Sequence, residues 1–82
     1  MFINKTFDGK NNICGTKVYL YRKEMGISQR ELADRLQIVG LDVDKNAVQR
    51  IESGQRFVTD IEIVYLCEAL GKSFDDLLKT DI

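Results

Sequence analysis

Helix-capping residues and glycines alternate along this chain, and no proline interrupts them. Ser28, Asp44, Thr59 and Ser73 each offer a side-chain oxygen to the first turn of a helix. Gly26, Gly40, Gly54 and Gly71 each supply the left-handed residue that closes one. Two of the starts are fuller: "SQRE" at 28–31 and Thr59 with Glu62 both read as capping boxes. Between these marks the apolar residues recur at helical spacing. They are Val18, Tyr21 and Met25, then Leu32, Ala33 and Leu36, then Val48 and Ile51, then Ile63, Leu66, Cys67 and Leu70, and last Phe74, Leu77 and Leu78. The pattern predicts an all-α fold of five helices, and 82 residues suffice for one domain with one shared core.

Ahead of the first helix, residues 1–13 have no helical period and hold the turn-forming cluster "DGKNN" at 8–12. An extended N-terminal arm joined to a turn is expected there, followed by a helical domain over 14–80. Phe2, Ile3 and Phe7 on that arm need cover.

Several function classes are disfavoured by composition. The longest apolar run, "IVYLC" at 63–67, cannot cross a bilayer, and "MFINKTFDGK" lacks the apolar segment of a signal peptide. A cytoplasmic location is expected, with no membrane partner. Cys14 and Cys67 stand in a chain without histidine, so no metal-ligand set and no nucleophile with a base can be assembled. They read as core thiols, with a disulfide as the alternative. No phosphate-binding glycine loop and no acid pair with an obvious cleft occur, so the expectation is no enzyme, no cofactor, no metal and no small-molecule substrate.

The net charge of -1 hides a gradient. Residues 1–27 carry five Lys or Arg against two acids, residues 28–56 five against five, and residues 57–82 two against six. An anionic partner should meet the first two thirds of the chain.

The third helix, inside "DKNAVQRIESGQR" at 44–56, offers only Val48 and Ile51 as large apolar groups. At 3.6 residues per turn these set the buried direction. Asn46, Gln49, Arg50 and Ser53 then fall on the far side, with Lys45 at the flank. Arginine can donate twice to a guanine edge, asparagine and glutamine can pair with adenine, and a helix fits the major groove. The helix is expected to bury little because its outer face reads double-stranded DNA.

At this point the sequence resembles the phage Cro and repressor family of helix-turn-helix proteins, also called XRE-like. The likeness spans roughly residues 13–79 and is carried by "YRKEMGISQRELADRL", "NAVQRIESGQR" and "TDIEIVYLCEALGKSFDDLL" in that order and spacing. It implies a compact lambda-repressor-like domain whose second helix supports and whose third recognises. It further implies that Gln29, Gln55 and Arg56 bind DNA phosphates, and it pairs Arg22 with Glu52. An acid on a DNA-facing helix needs such a cation. The chain departs from the family in about five extra residues around "VGLDV". Either the second helix runs one turn longer, or the turn has become a small loop packed by Leu41 and Val43.

The fourth helix carries Ile61, Val64 and Tyr65 off its main stripe. Either the arm covers them with Phe2 and Phe7, or they form the contact of a homodimer. The leading expectation is a sequence-specific DNA-binding transcriptional regulator, acting as a repressor and as a dimer. The alternative is a protein-interaction module, an antitoxin or adaptor whose acidic last third engages another protein.

Overall fold

The computed structural model describes residues 5–79. It contains α1 (Gly15–Met25), α2 (Gln29–Val39), α3 (Lys45–Ser53), α4 (Asp60–Leu70) and α5 (Phe74–Leu78), with no strand among the described residues. The starts follow the expected capping. The Ser28 hydroxyl accepts the Glu31 amide while the Glu31 carboxylate returns to the Ser28 amide, and Thr59 with Glu62 repeats the exchange. Asp44 caps α3 by accepting from the Ala47 amide at 2.8 Å. Ser73 and Asp76 make a third reciprocal pair at α5.

Helix α1 begins differently. Its N-terminal flanking residue, Cys14, makes no side-chain cap; the Oδ1 of Asn12 accepts from the Gly15 amide at 2.9 Å instead. Gly15 is required for closeness, since a Cβ there would stand 2.1 Å from the Ile51 carbonyl oxygen. No side chain fits between α1 and the end of α3.

Helix α3 packs on α1 and α2, and α4 packs on α2, α5 and α1. Val18, Leu32, Leu36, Val48, Ile51, Leu66 and Leu77 are fully enclosed where these helices meet. Cys14 and Cys67 lie in the same core as free thiols, and burial pushes the Cys14 thiol up to about 11. It stays neutral and inert, as a small apolar group does.

The extra residues before α3 form the small loop. Helix α2 stops at Val39, and Gly40 adopts a φ of 118° against the ring of Tyr65. Val43 is buried beneath the loop, whose carbonyl at that residue accepts from the Gln37 side-chain Nε2 at 2.8 Å.

Two expectations about apolar cover need correction. Helix α5 buries only Leu77, because five residues make little more than one turn; Phe74 and Leu78 stay exposed. The turn expected after the arm forms at residues 6–10. The Thr6 amide donates to the Lys10 carbonyl and the Gly9 amide to that of Thr6, which folds the segment into a turn. Phe7, on its outside, is 102% exposed and covers nothing. Phe2, Ile3 and Thr80 lie outside the described residues.

Candidate nucleic-acid interface

The outer face of α3 is built by exclusion. Val48 and Ile51 are fully buried, which leaves Asn46, Gln49, Arg50 and Ser53 exposed on the opposite side and Lys45 exposed at the flank. Ser53 differs from the other four, because its hydroxyl donates back to the Arg50 carbonyl at 3.2 Å. No ion pair engages Lys45 or Arg50 among the described residues.

Behind that face sits a polar anchor. The Arg22 Nε donates to Glu52 Oε2 at 2.6 Å and its Nη2 to Oε1 at 3.0 Å, with the two side chains only 8% and 6% exposed. Arg22 Nη1 also donates to the Ile27 carbonyl at 2.9 Å. The guanidinium is held above its already high value by the hydrogen bonds it donates to Glu52, so it stays charged. This bidentate pair ties α1 to α3 in a geometry that isolated point charges could not hold.

Gln29 joins the same group, its amide nitrogen donating to Glu52 Oε1 at 3.0 Å. One N–H of that amide remains for another acceptor. Around it opens a polar hollow of about 750 Å³, lined in part by Lys23, Ser28, Gln29, Arg30 and Lys45. The start of α2 adds its own pull on anions: a helix leaves its first amides unpartnered and carries a partial positive charge there. Lys23 and Arg30 were not singled out in the sequence. Their signal was the clustering of cations on either side of the Ser28 capping box.

The loop after α3 divides its two expected phosphate ligands. Gln55 is exposed, its backbone amide donating to the Arg50 carbonyl at 2.9 Å. Arg56 instead turns toward α4, where its Nη2 meets Glu62 Oε2 at 2.8 Å and its Nη1 the Phe57 carbonyl at 3.3 Å. The guanidinium hydrogen bond holds the Glu62 carboxyl below its usual range. Arg56 is therefore ion-paired in the free chain, its side chain still 30% exposed, and a phosphate would have to share or displace Glu62.

A helix with a bare polar face, a supporting helix beneath it and a cationic hollow at their joint define a helix-turn-helix protein. The helix-turn-helix family model matches residues 18–77, and the chain belongs to that family of XRE-type DNA-binding transcriptional regulators. Among solved structures it is similar to the restriction-modification controller protein C.AhdI from Aeromonas hydrophila, at 30% identity and a TM-score of 0.68, over 78% of this chain and 86% of that one. It is also similar to the P22 c2 repressor, solved in complex with a synthetic operator, at 26% identity and a TM-score of 0.70, over 85% and 98% of the two chains. A third likeness is to the clp gene regulator ClgR from C. glutamicum, at 25% identity and a TM-score of 0.70, over 82% and 80%. No curated protein matches the sequence. No described helix is long and apolar enough to cross a membrane.

Proposed function

We propose that the protein is an operator-binding repressor that acts as a two-fold dimer and reads the major groove of double-stranded DNA with α3. The observation that carries this is the exposure of Lys45, Asn46, Gln49 and Arg50 on a helix whose inner face and ends are held firmly. Ser53 joins them at the end of the face. Gln29 and Gln55 hold phosphates at either end, with Lys23 and Arg30 adding charge beside Gln29. The P22 c2 repressor, of similar fold, was solved on operator DNA, which supports repression as the mode of action, and a DNA-binding role is in keeping with a cytoplasmic location.

The dimer surface is proposed on the α4–α5 side. Ile61 and Val64 are exposed there, and Val64 shares a hollow of about 680 Å³ with Ile13, Phe57, Phe74 and Leu78. Tyr65 is excluded from it, since its ring packs on Gly40. The same apolar side favours a second reading, a protein-interaction module that binds another protein there.

Selection of bound sequences from a random DNA pool tests the proposal. A two-fold symmetric consensus, bound by a species that sediments as a dimer, is expected. An unenriched pool would overturn sequence-specific binding, and a monomer both free and on the selected DNA would overturn the dimer.

A further inference from the structure

The turn cluster at 8–12 does more than reverse the chain. Asn11 and Asn12 between them take four carbonyls at the exit of α3. Asn12 Nδ2 donates to Ile51 at 3.1 Å and to Arg56 at 2.8 Å; the Asn11 backbone amide donates to Gly54 at 2.7 Å and its Nδ2 to Gln55 at 2.8 Å. Both side chains are also held from behind. Asn12 Oδ1 accepts from the Gly15 amide at 2.9 Å and Asn11 Oδ1 from Lys5 Nζ at 2.8 Å. The last carbonyls of a helix have no partner within it. Here the amides of residues 54–56 take those of Arg50 and Ile51, Asn12 adds a second donor at Ile51, and the N-terminal segment takes the loop carbonyls beyond. The Lys10 side chain lies across Gly54, where a Cβ would meet it at 2.8 Å.

We propose that Asn11 and Asn12 are positioning residues for DNA recognition, fixing the tilt of α3 and the place of Gln55 without touching DNA themselves. The inference rests on the operator-binding reading of α3. Only two large residues of α3 are buried, so apolar contact alone defines its axis poorly. Hydrogen bonds are directional, and those of Asn12 join the start of α1 to both the last turn of α3 and the loop beyond it. A bidentate contact to a base edge tolerates little misalignment, whereas attraction to phosphate needs only charge. Loosening this clamp should therefore lower binding to a preferred site more than binding to any other sequence.

Asn12→Asp and Asn11→Ala in the full chain test this. Asn12→Asp keeps the acceptor for the Gly15 amide but sets an oxygen against the Ile51 and Arg56 carbonyls. Asn11→Ala keeps its backbone bond to Gly54 and perturbs the fold least. Each is titrated on the selected duplex and on a scrambled one, beside thermal unfolding followed by circular dichroism. The ratio of the two affinities is expected to fall about tenfold for Asn12→Asp, the order of one aligned base contact, and about threefold for Asn11→Ala. Ser73→Ala, which removes the cap of the distant α5, is expected to lower the Tm and leave the ratio unchanged. A wild-type ratio in both asparagine variants would overturn the positioning role, as would an equal loss in Ser73→Ala. A wild-type chain that bound both duplexes alike would overturn the operator-binding reading and this inference with it.

Discussion

Helices α3 and α4 are held in opposite ways. Helix α4 buries Ile63, Leu66, Cys67, Ala69 and Leu70 and still leaves Ile61 and Val64 in water. Helix α3 fully buries only Val48 and Ile51, with the small Ala47 half-buried beside them, and the rest of what fixes it is polar: the Asp44 cap, the Arg22–Glu52 pair and the two asparagines at its exit. A helix that must offer one whole face to a partner cannot spend that face on a core. Directed bonds at its ends and flank replace the missing apolar contact, and a buried charge pair becomes tolerable because it is bidentate and further hydrogen-bonded.

The comparison breaks most sharply at Glu52. Glu52→Gln leaves the buried Arg22 charge uncompensated and is expected to cost about 3 to 5 kcal/mol in denaturant unfolding. A loss under about 1 kcal/mol, the worth of an exposed pair, would mean that α3 is held by its apolar face after all. Leu66→Ala is the matching change in α4, and the lost burial plus the cavity should cost about 2 to 5 kcal/mol. Affinity ratios on selected and scrambled duplexes should be unchanged for that variant once it is folded, because α4 carries none of the reading face.

Arg50→Ala sharpens the contrast from the outside. We expect a loss of about 1 to 3 kcal/mol on the preferred site, with relaxed preference at one base pair. Unfolding should move by about 0.5 kcal/mol or less, as for other surface substitutions. Full discrimination at every position in titrations of singly mismatched duplexes would contradict the assignment of the reading face.

The smallest effect concerns Arg56 and Glu62, a pair 30% and 14% exposed. Arg56→Ala should destabilise by about 1 kcal/mol or less and leave the salt slope of DNA binding unchanged, whereas loss of a phosphate contact would lower that slope by about one unit per half-site. The pair also sets a pH dependence. Arg56 lowers the Glu62 pKa in the folded state, so its stabilisation is present above the ordinary glutamate value of 4.5 and disappears as pH falls through the lowered folded value. The stability gap between wild type and Arg56→Ala should therefore close below pH 4.5; a constant gap would show that the charge of Glu62 contributes nothing.

Most of the fold was legible because its signals are local. A capping serine, a terminal glycine and a 3.6-residue apolar period each act within one or two turns, and so α2, α3 and α4 stand where their caps and stops put them. The exposed face of α3 was legible for the same reason, since a helix that buries Val48 and Ile51 must expose Arg50 on the other side.

What remained hidden was decided where separate elements meet. Arg56 looked like a free cation beyond a helix stop until the fold brought Glu62 to it, and the asparagines of "DGKNN" looked like turn formers until residues 51–56 arrived beside them. A sequence displays which donors and acceptors a chain owns, and local geometry decides where its helices begin and end. Which donor meets which acceptor across 39 to 44 residues is chosen only when the helices pack. Hydrogen bonds act within about 3 Å, and no periodicity along the chain encodes such an encounter.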